Sequence, residues 1–314
     1  MSQPSAPENV IVVGAGMAGL ACARSLVSRG ATVTLLDKGR AVGGRMSTRR
    51  RDDATFDHGA QYFTVRSPAL RQVVDDLAKV GAVGRFEKEL APSGEPRWAG
   101  TPTMRSLPQA MSIGLDVQLG ARVTKLWRVG QAWEVELEAG TRLEAARVVV
   151  AIPAPQAREL LVASAEPVPE ALARVEVAPC WALMVEVEGE RSERPWTMRD
   201  TPPFSWLCRQ SDAASRSRWV AHADREFSER FLELSQEEVV EMLSSRVLET
   251  IGAARLVSAA AHRWRYARTT EPAGVPAIVL AERRLVLAGD YCLGARVEDA
   301  FTSGVMAAAL LTAS

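Results

Sequence analysis

VIVVGAGMAGLACARSLVSRGATVTLLD, residues 10–37, decides how this chain begins to fold. The apolar residues 10–13 form a buried-strand run. A glycine turn follows. Leu20, Ala23, Leu26 and Val27 then recur at helical spacing, which predicts a helix that buries these residues and ends near Gly30. TVTLL, residues 32–36, reads as a second strand closing on Asp37. Strand, helix and strand in this order form a βαβ unit, so the strands are expected to run parallel. The turn itself reads Gly14-x-Gly16-x-x-Gly19. Gly14 allows the tight turn, Gly16 lets a pyrophosphate approach the backbone, and Gly19 permits close helix–strand packing. The helix start offers unpaired N–H groups and a positive dipole end to phosphates. Asp37 can accept hydrogen bonds from ribose hydroxyls. Such a glycine pattern is weak alone. Set between an apolar run and an acidic strand end, it predicts nucleotide binding.

With 314 residues, 47% of them hydrophobic, the chain can bury a sizeable core in one large or two intertwined domains. A formal net charge of zero gives no case for nucleic acid or a membrane surface as partner. No apolar run is long enough to span a bilayer. The opening MSQPSAPENV lacks a basic region and an apolar signal core, so a cytoplasmic chain is expected. Cys22, Cys180, Cys208 and Cys292 form no CxxC pair and are expected to be reduced and structural. His58, His222 and His262 share no metal-ligand spacing, so no metal site is expected.

Further along, ALRQVVDDLAKVG (69–81) is an amphipathic helix, and a Pro- and Gly-rich loop is expected after it. VQLGARVTKLWRVG (117–130), AWEVELEAG (132–140) and RLEAARVVVAIP (142–153) return to strands, the middle one alternating like a half-exposed hairpin. Pro153 and Pro155 end the last run. WALMVEVEG (181–189) and WVAHAD (219–224) read as short strands. SQEEVVEMLSSRVLETIG (235–252) is a helix with Ser235 as N-cap and Glu238 as capping-box partner.

Other features carry chemistry. Gly43–Gly44–Arg45–Met46 follows soon after Asp37; paired glycines let backbone lie against a flat or anionic ligand, and Arg45 could neutralise a diphosphate. LVLAGDYCLGARVEDAFTSG (285–304) supplies a last strand, a Gly289–Asp290 turn and a helix from near Val297, with Ala300, Phe301, Val305, Ala308 and Leu311 on its apolar face. Tyr62, Phe63, Trp98, Trp181, Trp206, Trp264 and Tyr266 would suit a flat substrate, or simply pack the core. Arg191, Arg194, Arg199, Arg209, Arg216, Arg218 and Arg225 could meet a phosphate-bearing substrate, although most such arginines are solvated.

Taken together, GAGMAGLACARSL, LLDK, GGRMSTRR and FDHGAQYF resemble the N-terminus of the FAD-dependent amine oxidase superfamily, and within it the bacterial renalase-like flavoproteins. AIPAPQ, PCWAL, AHRWRYAR and GDYCLGARVEDAFTSG extend the resemblance over most of the chain, the middle third matching loosely. The resemblance implies an α/β fold: a Rossmann-like FAD-binding domain with an inserted α+β substrate domain, the amine oxidase or p-hydroxybenzoate hydroxylase-like architecture. Residues 1–65, 105–160 and 278–314 would form the FAD-binding domain, and residues 66–104 and 161–277 the substrate domain.

It implies non-covalent FAD held by Gly14, Gly16, Gly19, Asp37, Lys38, Gly44, Arg45, Met46, His58, Gly59, Ala60, Gln61, Val123, Gly289, Asp290, Arg296 and Val297. In that scheme Asp290 would meet the ribityl or nearby hydroxyls. The helix after Arg296 would point its N-terminus at the flavin pyrimidine edge, where reduced flavin carries negative charge. His262, Trp264 and Tyr62 become the catalytic candidates. The implied reaction is hydride transfer from an isomeric 2- or 6-dihydro-NAD(P) to flavin N5, giving NAD(P)+, with reoxidation by O2 to H2O2. A second GxGxxG, expected of an enzyme holding NAD(P)H in its own Rossmann domain, does not occur. The alternatives are a small FAD-dependent amine oxidase and a non-catalytic flavin-binding module.

Overall fold

The computed structural model describes residues 8–51, 53–86, 94–190, 195–213, 216–280 and 284–312. Its centre is a six-stranded sheet in the order 278–280, 285–287, 147–150, 9–13, 32–37, 116–119. The first pair is antiparallel and the others run parallel, as the opening βαβ unit requires. Along Asn9–Val13, Val10 and Val12 enter one core while Ile11 and Val13 enter another. Both faces are therefore covered, which explains why the strand reads as an unbroken apolar run instead of an alternating one.

The first helix, Met17–Val27, buries Leu20, Ala21, Cys22, Ala23 and Leu26. Val27, expected on the buried face, is 43% exposed: the helix ends there and the covering layer does not reach it. On the same side lies the last helix, Val297–Thr312, with Ala300, Phe301, Ala308 and Leu311 in the shared core. The opposite face carries the strands Val123–Val129, Ala132–Leu137 and Arg142–Ala145, an antiparallel sheet whose Trp133 and Val135 are buried. Ala154–Ala163, unread in the sequence, is a helix on that face; Pro155 at its first turn starts it.

The second large sheet is antiparallel, ordered 197–201, 204–213, 216–223, 176–188, 255–271. WALMVEVE (181–188) is only part of the 13-residue strand Glu176–Glu188, which stops before Gly189, and AHRWRYAR lies within the 17-residue strand Arg255–Glu271. The helix Gln236–Ile251 packs Val239, Leu243, Val247 and Ile251 against this sheet. Its capping box is present: Ser235 Oγ accepts from Glu238 N, and Glu238 Oε2 accepts from Ser235 N. Such a box contributes about 1 kcal/mol. The amphipathic helix is Pro68–Lys79, capped by Ser67. The stretch after it, expected as loop, holds the strands Val83–Arg85 and Arg97–Gly100, which pair with each other, and Phe63–Thr64 pairs with Arg97–Gly100. Among the described residues no helix is long and apolar enough to cross a membrane.

Candidate active site

The glycine turn is built as its spacing demands. Gly14 has φ +107°, and a Cβ there would sit 2.5 Å from the Ala151 carbonyl oxygen. At Gly19 a Cβ would fall 1.8 Å from the Gly14 oxygen, so the helix can leave the strand only without a side chain. A Cβ on Gly16 would meet nothing within 4 Å. That opening lets a phosphate reach backbone N–H groups at the helix start.

Asp37 closes the second strand, its Oδ2 accepting from Ala15 N at 2.7 Å and its Oδ1 from Gly39 N at 2.7 Å. A carboxylate has about four acceptor sites, so each oxygen keeps one for a hydroxyl. Lys38 is exposed beside it. Ala121 N donates to Asp37 O at 2.8 Å, which brings the half-buried Val123 to the same strand end.

Gly43 and Gly44 have φ +114° and +53°, and Gly43 N donates to Ala15 O. A Cβ on Gly44 would lie 3.6 Å from Gly16 Cα, so the second glycine pair folds over the first turn. Met46 is buried beneath it, and Arg45 projects from the turn. Expected to serve separate parts of a ligand, Arg45 and Asp290 meet each other. Arg45 Nη1 and Nη2 donate to Asp290 Oδ2 and Oδ1 at 2.8 and 2.5 Å. Arg45 Nη1 also donates to Ala267 O, and Thr269 Oγ1 to Asp290 Oδ2. Burial opposes the Arg45 charge, but the Asp290 carboxylate outweighs it and raises the guanidinium pKa above its ordinary value.

Gly289 N donates to the buried Ser303 Oγ at 3.0 Å, tying the Gly-Asp turn to the last helix. That helix starts at Val297. Exposed Arg296 precedes it and donates its N–H to Asp299 Oδ2 at 2.9 Å. The second acid, Glu298, is buried and accepts from Arg66 N and Ser67 N, which fixes the start of another helix.

The loop His58–Tyr62 lies in a seam between Arg45 and the second sheet. Ala60 N donates to Arg45 O, and a Cβ on Gly59 would fall 2.0 Å from that same oxygen. From the other side Trp264 Nε1 donates to His58 O at 3.0 Å, and His222 Nε2 lies 3.1 Å from it. His58 stacks on Trp264 at 5.1 Å, and His262 meets both rings edge-on at 4.7 and 4.4 Å. All three histidines therefore meet where the sequence showed no spacing. His222 and His262 flank Ala182 on neighbouring strands, and chain separation hides that register. Among the described residues no group of three or more His, Cys, Asp or Glu suited to a metal occurs.

The aromatic set divides. Tyr62, Trp206 and Trp264 line the seam, with Tyr62 and Trp206 5.6 Å apart. Trp181 belongs to the core of the second sheet, and Phe63 and Trp98 to that of the first. Tyr266 lies away from the seam, beside Pro155 and Arg158. Among the described residues the arginines form no single phosphate patch. Arg209 is buried against Glu190 at 3.1 Å, Arg216 and Arg225 pair with Glu188 and Glu229, and Arg199 donates to Tyr62 Oη. Arg191 and Arg194 lie outside the described residues.

Burial pushes His58 down to about 3, helped by His262, and burial pushes His262 down to about 4. His222 is lowered for the same reason. The three histidines of the seam are thus neutral at neutral pH. Unfolded histidine takes up a proton near pH 6.5. Below that pH the unfolded chain binds more protons than the native one, so stability falls as pH drops towards 4. His58 alone should contribute a loss of about 2 kcal/mol between pH 7 and pH 5, and the other two add to it. Urea unfolding at both values checks it; equal stability at both would reject neutral, buried histidines.

Residues 12–77 match the NAD(P)-binding Rossmann-like domain family, and residues 81–312 match flavin containing amine oxidoreductase. The chain is 27% identical to renalase of Mus musculus over 292 residues, covering 83% of this chain and 85% of the mouse protein. It is 32% identical to putrescine oxidase of Kocuria rosea over 147 residues, 43% of this chain and 30% of that enzyme. Cyclohexylamine oxidase from Brevibacterium oxydans IH-35A shares the fold, with a TM-score of 0.77 over 98% of this chain and 99% of that one, at 11% identity. The match over residues 81–312, on a Rossmann sheet whose glycine turn is open at Gly16, places the protein: it belongs to the flavin containing amine oxidoreductase family and is a flavin-dependent oxidoreductase.

Proposed function

We propose that the protein is an FAD-dependent oxidase of renalase type that returns isomeric 2- or 6-dihydro-NAD(P) to NAD(P)+. The observation that carries this reading is the likeness to renalase along 83% of the chain. The residues present fit FAD. Gly16 leaves room for a diphosphate, Asp37 keeps acceptor capacity for ribose hydroxyls, and the buried Gln61 amide has an unused donor. Gly14, Gly16, Gly19, Asp37, Lys38 and Val123 would hold the adenosine diphosphate end. Gly44, Arg45, Met46, the 58–61 loop, Gly289, Asp290, Arg296 and Val297 would hold the other. Cys292, the thiol closest in sequence to Asp290, is fully buried, and burial raises its pKa to about 11. A thiol held protonated is a poor nucleophile, which supports non-covalent binding.

Bound FAD would supply the hydride acceptor and its reoxidation by O2, with H2O2 as product. Trp264 and Tyr62 would form a flat, water-excluding wall for the pyridine ring, and His262 would orient it. The neutral histidines suit this chemistry, because a dihydropyridine that gives up hydride has no proton to lose. Selectivity would rest on which ring carbon faces the acceptor, and a displacement of about 1 Å can cost a hundredfold in rate.

The test is anaerobic stopped-flow mixing of the FAD-loaded protein with borohydride-reduced NAD+, which contains the 2-, 4- and 6-dihydro isomers. Rapid bleaching is expected, with the 4-dihydro isomer consumed about a hundredfold more slowly. No bleaching by the mixture together with rapid bleaching by cyclohexylamine or putrescine would transfer the case to amine oxidation. Bleaching by none of them would leave a flavin-binding module.

A further inference from the structure

Gln61 is 5% exposed and lies in the seam between the cofactor loop and the second sheet. Its Oε1 accepts a buried hydrogen bond from Trp206 Nε1 at 2.9 Å. An indole N–H can only donate, so this contact settles which way the amide faces: oxygen to Trp206, NH2 away from it. That NH2 group is buried without a partner among the described residues. The indole is itself pinned. Arg199 stacks over it at 4.3 Å and donates to Tyr62 Oη at 3.1 Å, and the rings of Tyr62 and Trp206 lie 5.6 Å apart. Trp206 packs with Phe86, Cys208 and the half-buried Tyr62 and Ala99, and the Gln61 NH2 group bonds to none of them.

A buried donor left unpaired costs about 1–3 kcal/mol, and an apolar residue at position 61 would avoid that cost. The neighbouring backbone shows where the group sits. Ala60 N bonds to Arg45 O, and Gly59 packs between Arg45 and Trp264. We infer that Gln61 is a fixed donor that hydrogen-bonds a carbonyl oxygen of the ligand bound in this seam. The inference rests on the flavoenzyme reading. The carbonyl belongs either to the cofactor ring or to the carboxamide of a nicotinamide substrate, and both offer the same neutral acceptor.

Gln61→Glu keeps an oxygen for Trp206 Nε1 and, when ionised, removes the donor. Gln61→Met removes the donor without adding charge. Near-UV circular dichroism of each variant controls for folding. FAD affinity is read by fluorescence titration of the apoprotein, and NAD+ affinity by difference spectra of the holoprotein. If the acceptor is the cofactor, both variants should bind FAD about tenfold more weakly and shift its visible bands. If it is the carboxamide, both should keep wild-type FAD affinity and spectrum but bind NAD+ about tenfold more weakly. A change in Gln61→Glu alone would be charge repulsion and would overturn the inference. Unchanged FAD and NAD+ binding in both variants would overturn it too, while leaving the flavoenzyme reading intact. Failure of the wild type to bind FAD would instead remove that reading, and this inference with it.

Discussion

Gly304→Val should unfold the protein or strip it of its cofactor, although residue 304 lies in a helix and carries no side chain. A Cβ at this position would fall 2.1 Å from the Ala18 carbonyl oxygen and 2.9 Å from its carbon. Both are backbone atoms of the first helix, so no rotamer change can relieve the clash. The first and last helices would have to separate, and the first helix is the one whose N-terminus carries the Gly14–Gly19 turn. Ala300, Ala307 and Ala308 on one side and Ala18 and Ala21 on the other sustain this close approach. Overpacking of a core typically costs 1–3 kcal/mol, and we expect roughly 3 or more here, because the obstacle is main chain. Thermal unfolding should show a midpoint lower by about 5 °C or more even for Gly304→Ala, with loss of bound FAD in Gly304→Val. A Gly304→Ala protein that melts within about 2 °C of wild type would show that the helices can part at no cost.

Legibility in the sequence followed the distance over which each feature is decided. The opening βαβ unit, the Ser235–Glu238 box and the helix from Val297 are settled by contacts a few residues apart, and all were readable. The 17-residue strand Arg255–Glu271 was not. Most of its residues are half-buried on both faces, so no alternation of apolar and polar side chains marks it. The histidine cluster was invisible because sheet register brings His222 and His262 together and the 58–62 loop folds His58 onto them, so no spacing along the chain marks it. Trp206 as the partner of Gln61 lies 145 residues away, and nothing local pairs them. Gly304 did leave a signal, since a glycine inside an apolar helix costs about 1 kcal/mol and points to a close approach. What it approached could be learned only from the fold. Arg45 and Asp290 were each legible as chemistry. Their pairing across 245 residues was not.

That pairing sets the expected outcome of Asp290→Ala. The Asp290 side chain is 6% exposed and that of Arg45 31%, and their two hydrogen bonds join the second glycine turn to the last strand's end. Removing the carboxylate leaves a largely buried guanidinium facing Thr269 and Ala267 O with no counter-charge. Breaking a buried pair from one side costs about 3–5 kcal/mol; Arg45's partial exposure should bring this to roughly 2–4. Arg45→Met removes the charge that needs compensating, so adding it to Asp290→Ala should recover part of the loss. A double-mutant cycle by urea unfolding of the apoproteins therefore isolates the pair, with a coupling of about 1–3 kcal/mol expected. Asp290→Asn keeps the shape and an oxygen for Thr269, and should fall between. The same variants separate stability from ligand binding. If Asp290 also accepts a cofactor hydroxyl, the doubly substituted protein will regain stability but not FAD affinity, which should stay about tenfold or more below wild type. Full recovery of both would make Asp290 no more than a counter-ion for Arg45. Additive losses in the cycle would mean that the pair contributes nothing as a pair.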